Sequence, residues 1–156
     1  MNGVNLETSR LLLRRFETGD LEDLYEYACR PEVGPAAGWK PHESRRETEQ
    51  ILTGFIHGTE VWAVVLKETG KVIGSVGLHG DSHRSSSPEV KMLGYVLSPD
   101  YWGKGIMTEV ARRVISYAFE ERGVQLVSVS HFSFNSRSKR VIEKCGFTYE
   151  GTFRRC

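Results

Sequence analysis

The residues of this chain whose types and spacing invite chemistry cluster in Met92-Leu-Gly-Tyr-Val-Leu-Ser-Pro-Asp-Tyr-Trp-Gly-Lys-Gly-Ile-Met-Thr108. An apolar run, a proline-punctuated turn and glycines at 103 and 105 lead into a long amphipathic stretch. Such a loop aims successive backbone N–H groups, and the positive end of a helix dipole, at one point in space. It is an anion site, and phosphate is the usual occupant. Two nucleotide fingerprints fail on it. A Walker loop needs G-x-x-x-x-G-K-[ST], whereas Lys104 stands between glycines and is followed by Gly105. The dinucleotide fingerprint needs a third glycine where Thr108 stands, within a first strand–helix unit, and here three strands come first.

The elements that must hold this loop are legible from periodicity. Leu11 to Phe16 is β-like, and Thr18-Gly-Asp20 opens a short helix, with Thr18 or Asp20 available to cap it. Leu21, Leu24, Tyr25 and Ala28 recur at helical spacing. Pro31 to Pro41 holds three prolines and two glycines and reads as an irregular loop. Residues 43–57 are helical again, with Ile51, Leu52, Phe55 and Ile56 on the apolar side. Strands at 61–66 and 72–78 flank a hairpin turn in which Gly70 takes positive φ. A polar loop over 81–88 precedes a strand at 89–98. The helix from Met107 to Arg122 carries a core stripe of Met107, Val110, Ala111, Val114, Ile115, Ala118 and Phe119, and Gly123 ends it. A strand over 124–131, a last helix from Asn135 to Gly146 with Val141, Ile142 and Cys145 inward, and a partial strand at Phe147–Tyr149 complete the order. The hairpin-linked strands are antiparallel. The strand–helix–strand unit over 89–131 predicts one parallel pair.

At 156 residues the chain is one domain spanning 1–156, large enough to bury a core, and its order of elements makes it α/β. A net charge of +1 argues against a nucleic-acid partner held by bulk electrostatics. Cys29, Cys145 and Cys156 are odd in number, with no C-x-x-C pair, and predict a reducing compartment and no metal. No apolar run approaches the roughly 18 residues of a membrane span. Residues 1–7 lack the basic and apolar regions of a signal peptide, so a cytoplasmic location is expected.

Tyr95-Val-Leu-Ser-Pro-Asp-Tyr-Trp-Gly-Lys-Gly-Ile-Met-Thr-Glu109 resembles the acetyl-coenzyme A motif of the GCN5-related N-acetyltransferases. It is most similar to the branch that contains the Rim-type ribosomal-protein N-terminal acetyltransferases. Thr8-Ser-Arg-Leu-Leu-Leu-Arg14 resembles that branch's opening strand, and Asn135-Ser-Arg-Ser-Lys-Arg-Val-Ile-Glu-Lys-Cys-Gly-Phe147 its N-x-x-S-…-K-x-G-F closing motif. The resemblance implies a mixed, mostly antiparallel sheet with a splayed parallel pair and about four helices. It implies acetyl-coenzyme A as cosubstrate, no metal, and direct acetyl transfer to an amine. Backbone at Tyr95, Val96 and Leu97 would hold the pantetheine arm. Amides of Gly103, Lys104, Gly105, Ile106, Met107 and Thr108 would hold the pyrophosphate. Asn135 and Ser138 would contact the cofactor near its thiol.

Several positions depart from the family pattern. Trp102 and Met107 occupy the first and last places of a loop usually written [QR]-x-x-G-x-[GA], which backbone recognition tolerates. Ile142 stands where many relatives place a tyrosine acid, leaving Ser138 as the expected donor to the leaving thiolate. The strand carboxylate that often serves as base is replaced by Met92. Glu89 is the nearest substitute, but an offset of three puts it on the opposite face unless the strand bulges. His79, Asp81 and His131 are rivals, because an attacking amine must shed a proton whether its pKa is about 10.4 or about 8.

Other features read more plainly. Arg112, Arg113, Glu120, Glu121 and Arg122 form a wet helix face. Arg137, Lys139 and Arg140 belong either to a solvated face or to the 3′-phosphate of coenzyme A. Trp39 and Trp62 are candidates to line an acceptor pocket, with core packing the better reading for Trp62 in its apolar strand, and Cys145 is a small core residue. The family fold closes with a hairpin whose second strand would follow residue 156. Truncation is expected there, with a homodimer partner covering the edge as the other reading. The Rim-like resemblance points to a protein N-terminus as the acceptor, with a small amine such as a polyamine or antibiotic as the alternative. The rival from another class is a coenzyme-A-binding module without catalysis.

Overall fold

A computed structural model describes residues 4–58, 60–81 and 84–152. The expectations for the leader at 1–3, for Ser82 and His83 and for Arg154, Arg155 and Cys156 lie outside the described residues. Among the described residues six strands form one sheet in sequence order: β1 (Leu6–Glu7), β2 (Leu11–Arg14), β3 (Val61–Leu66), β4 (Lys71–Gly80), β5 (Val90–Leu97) and β6 (Leu126–Val129). All neighbours are antiparallel except β5 and β6, which pair in parallel from Val90↔Leu126 to Leu93↔Val129. Five α-helices are present among the described residues: α1 (Leu21–Ala28), α2 (Gly34–Ala37), α3 (Arg45–His57), α4 (Ile106–Glu120) and α5 (Ser136–Lys144). This is the mixed α/β fold that the resemblance implied, with one helix more than the four expected. The extra one is α2, a single turn inside the Pro-rich loop, started by Pro35 and stopped by Gly38 at φ +95°.

Each face of the sheet buries its own core. Leu24, Tyr27 and Ala28 of α1 and Leu52 of α3 pack with Ala63, Val65 and Val72 on one side. On the other, Met107, Val110, Ala111, Val114 and Ala118 of α4 cover Leu13, Val64, Ile73, Val76 and Leu97. Trp62 belongs to this second core, where its ring meets Tyr117 edge-on at 5.6 Å and its indole N–H donates to the Val4 carbonyl at 2.7 Å. The predicted stripe of α4 is shifted at its end. Tyr117 is buried and Phe119 is 46% exposed, because the helix follows 110, 114 and 117 and rotates 119 off the sheet. Val124 N–H reaches back to the Ala118 carbonyl at 2.9 Å across Gly123, which holds φ +74°.

Capping departs from expectation in α1. Asp20 stands at its N-cap, but its carboxylate turns backwards to the Glu17 N–H and the Arg14 guanidinium, both at 2.9 Å. The predicted strand at 147–149 is irregular, since no ladder partner pairs with it among the described residues and Tyr149 is 78% exposed.

β4 and β5 carry the site, and their close approach depends on glycine. One extra residue, Ile73, enters β4 opposite Val64 and Val65 as a bulge. A Cβ on the adjacent Gly74 would collide with the Val96 carbonyl of β5 and lie 3.2 Å from the Leu97 Cα. Both obstacles are backbone, so the strands would have to part. Gly74→Ala is expected to destabilise the protein by about 1–3 kcal/mol, read as a lowered midpoint in urea or thermal unfolding.

Candidate active site

The ladder between β5 and β6 stops at Leu93↔Val129, yet β5 runs on through Gly94, Tyr95, Val96 and Leu97. Two hydrogen bonds fix which residues face the gap this opens. Ser98 N–H donates to the Ile73 carbonyl at 2.7 Å, and Gln125 N–H to the Glu89 carbonyl at 2.8 Å. Backbone groups alternate along a strand, so Gly94 and Val96 turn theirs to β4, whereas Tyr95 and Leu97 turn theirs to the gap. The Leu97 carbonyl there accepts the Trp102 indole N–H at 3.0 Å. Of the three backbone positions expected to hold a pantetheine arm, Tyr95 and Leu97 face the gap and Val96 faces its neighbour strand.

The phosphate loop follows directly. Gly103 and Gly105 hold φ of +76° and +73°, a left-handed conformation that side chains resist. Gly105 is the N-cap of α4 and offers no side chain, so the first-turn amides of Ile106, Met107 and Thr108 are uncapped. A cleft of about 440 Å³ opens on this turn, lined by Gly105, Thr108, Glu109, Arg112 and Lys144. Arg112 spans it to donate to the Lys144 carbonyl at 2.9 Å, joining α4 to the end of α5. Uncapped amides, two glycines in the left-handed region and two cationic side chains suit a pyrophosphate group.

Across the gap, Asn135 caps α5 by accepting from the Ser138 N–H at 3.1 Å, while its amide donates to the Ala36 carbonyl at 3.2 Å. Ser138 Oγ and Tyr95 Oη share a hydrogen bond of 2.7 Å, bringing two predicted site residues together on the gap's inner wall. Burial raises the Tyr95 phenol and the bond to Ser138 opposes that, so the pair stays protonated at neutral pH. The Arg137 guanidinium stacks 3.4 Å from the centroid of Trp102, bridging the β5–α4 loop and α5. A second cleft, about 320 Å³, lies beside this bridge between residues 31–36 and 134–137.

The proton acceptors separate clearly. Glu89 precedes β5, and β4 and β5 pair without a register shift from Gly74↔Leu97 to Gly80↔Lys91. From Val90 to Leu97 the ladders carry no register shift that would turn Glu89 onto the face of Met92. His131 lies past β6, with its Nδ1 2.7 Å from the Phe132 carbonyl. Asp81 accepts from the Ser128 hydroxyl and pairs with Arg84 at 3.6 Å. His79 is different. It stands opposite Met92, and its ring lies over Gly77 and Gly94. A Cβ on Gly77 would come 2.7 Å from Nε2, and one on Gly94 3.1 Å from Cδ2. Two facing glycines thus make a seat for the imidazole where β5 parts from β6. Burial, with a smaller contribution from Lys91, lowers its pKa below the ordinary 6.5.

Sequence reasoning missed three residues that this geometry exposes: Thr8, Arg10 and Glu109. Thr8 and Arg10 entered only through the Thr8–Arg14 resemblance and Glu109 only as the last residue of the Tyr95–Glu109 motif, and neither hints at what they touch. Among the other named residues, Trp39 packs against His42 at 5.3 Å rather than lining the cleft. Burial raises the Cys145 thiol, consistent with a packing role. Among the described residues no helix is long and apolar enough to cross a membrane.

Asn135→Ala removes the α5 cap and the tie to Ala36 together. It is expected to cost about 1–2 kcal/mol in thermal unfolding, with Asn135→Asp recovering the cap and part of the loss.

These features coincide with known proteins. Residues 10–148 match the model of the acetyltransferase (GNAT) domain. The uncharacterized N-acetyltransferase YoaA of Bacillus subtilis is 29% identical over 96% of this chain and 85% of its own length. A GNAT-family acetyltransferase structure from Bacillus anthracis superposes with a TM-score of 0.88 at 26% identity, covering 98% of this chain and 89% of that one. The ribosomal-protein-S5-alanine acetyltransferase of Vibrio fischeri does so at 0.73 and 25%, covering 95% and 85%. The chain, with its splayed strand pair and uncapped phosphate loop, belongs to the GNAT family and is an acetyl-coenzyme-A-dependent N-acetyltransferase.

Proposed function

We propose that this enzyme acetylates the α-amine of a peptide or protein and that His79 accepts the proton the amine sheds. The observation that carries the assignment is the glycine seat at Gly77 and Gly94, which sets an imidazole on the sheet at the apex of the gap. Bound acetyl-coenzyme A supplies the acetyl group as a thioester and departs as the thiolate. Gly103 to Thr108 hold its pyrophosphate through backbone amides, and Tyr95 and Leu97 face its arm. Ser138 Oγ, oriented by Tyr95 Oη, donates to the sulfur. His79 Nε2, neutral because desolvation lowers its pKa, takes a proton from the nitrogen.

The acceptor class follows from charge. In the cleft at 31–36 and 134–137, the carboxylate of Glu32 is already paired with Arg30 at 3.0 Å, and Arg30 also holds Asp100 at 2.8 Å. Arg137 supplies the cleft's other charge. A polyamine carrying several ammonium groups would meet a cation there and find its natural partner occupied. A peptide brings one amine of pKa about 8, which is partly neutral at physiological pH, and a backbone that Asn135 and the Phe134 ring can contact. The likeness to the Vibrio fischeri enzyme, named for a protein alanine, supports the same class.

Thiol release from acetyl-coenzyme A tests the reading. Peptides with free N-termini are expected to turn over, while N-blocked peptides and spermidine are not. Turnover of spermidine alone would overturn the acceptor class. Saturable cofactor binding without turnover on any amine would favour a binding module. The pH profile tests the base. As pH falls through the lowered pKa of His79, the imidazole takes up a proton and can no longer accept one, so kcat/KM should show an acid-side ionisation below 6.5 in addition to that of the acceptor amine. His79→Gln should remove that ionisation and lower kcat about 100-fold.

A further inference from the structure

The turn between β1 and β2 reaches across the molecule to the phosphate loop. Arg10 Nη1 donates to the Lys104 carbonyl at 3.0 Å, and its Nε donates to Glu109 Oε1 at 2.9 Å. Nη2 lies 2.8 Å from the same carboxylate oxygen, and the Thr8 hydroxyl donates to the other, Oε2. Glu109 therefore has both oxygens engaged by residues about a hundred positions away in the sequence. Desolvation pushes its carboxyl up, but Thr8 and Arg10 outweigh this and hold it below the ordinary range.

Two consequences bear on anion binding. A trans peptide points its C=O and the next N–H in opposite directions. Pinning the Lys104 carbonyl on Arg10 therefore turns the Gly105 N–H to the other side of the loop. Without that pin, glycines on both sides of Lys104 would leave the peptide free to flip and present its carbonyl to the anion instead. The second consequence is electrostatic. Glu109 lines the cleft at the start of α4, where a phosphate would meet it. Its negative charge is tolerable there because Arg10 pairs with it and Thr8 draws it toward the turn.

We infer that Arg10, with Thr8 and Glu109, is a positioning device for the pyrophosphate of coenzyme A: it sets the 104–105 peptide and cancels the one carboxylate facing the phosphates. This rests on the reading of residues 103–108 as the cofactor's phosphate cradle. Arg10 acts through the loop rather than on the reacting atoms, so its effect should be confined to the part of the cofactor that carries phosphate.

The test compares full and truncated cofactors. Dissociation constants for coenzyme A are measured by calorimetry on the wild type, Arg10→Ala, Arg10→Lys and the double variant Arg10→Ala/Glu109→Gln. Each protein is also assayed for kcat/KM with acetyl-coenzyme A and with S-acetyl-pantetheine, which lacks the phosphates. Arg10→Ala is expected to weaken coenzyme A binding about tenfold or more, with kcat/KM for S-acetyl-pantetheine changed less than about twofold. Arg10→Lys, unable to hold both the carbonyl and the carboxylate, should fall between and serves if the alanine variant folds poorly. The double variant should recover part of the loss by removing the unpaired carboxylate. Equal losses with both cofactors, or unchanged coenzyme A binding in both single variants, would overturn the inference. A wild type that fails to bind coenzyme A would instead sink the cradle itself.

Discussion

Every backbone donor and acceptor of a strand inside a sheet needs a partner on each side, and the architecture here turns on one place where that demand is withheld. β5 keeps its antiparallel neighbour from Lys91 to Leu97 but loses β6 after Leu93. Tyr95 and Leu97 are left facing a gap, in a strand too firmly held on its other edge to close it. The deep end of that gap is the seat of His79, its outer end the phosphate loop, and its far wall the start of α5. A ligand running from the loop at 103–108 to the His79 ring would pass the backbone of Tyr95 and Leu97.

Glycines do different work at the two ends. Gly103 and Gly105 hold backbone conformations that a side chain would resist, which lets amides rather than side chains recognise the anion. Gly77 and Gly94 are ordinary in conformation, and there the missing Cβ matters as space, because the ring of His79 lies where two side chains would stand. Gly74 adds a third use, the close packing of two strands beside a bulge.

In our proposal His79 takes the place of the strand carboxylate that is missing at Met92. In the β4–β5 register Met92 faces His79, so the position that lacks the carboxylate adjoins the imidazole across the strand pair. A depressed histidine suits an amine that is partly neutral at physiological pH, since the base need not deprotonate a strongly basic ammonium. The phosphate end shows a comparable economy. Glu109 would oppose anion binding if it stood alone, yet as the anchor of the β1–β2 turn it brings in the arginine that orients the loop.

By itself the sequence determined whatever depends on neighbours along the chain. Helical spacing placed α1, α3, α4 and α5. Alternation and Gly70 placed the β3–β4 hairpin, and the glycines at 103 and 105 before an apolar stripe marked the anion site. Those signals are local, so they survive without knowledge of the fold. What only the tertiary structure decided are relations between distant segments. Arg10 and Glu109 meet although 99 positions separate them. Tyr95 and Leu97, but not Val96, face the gap because pairing with β4 sets the phase of β5. Pairing with β4 sets the faces of β5, and the facing of Gly77 and Gly94 makes the seat in which the His79 ring lies. Pattern along the chain records what each residue prefers. Register and packing decide which residues meet, and both the seat of His79 and the Arg10–Glu109 pair depend on such meetings.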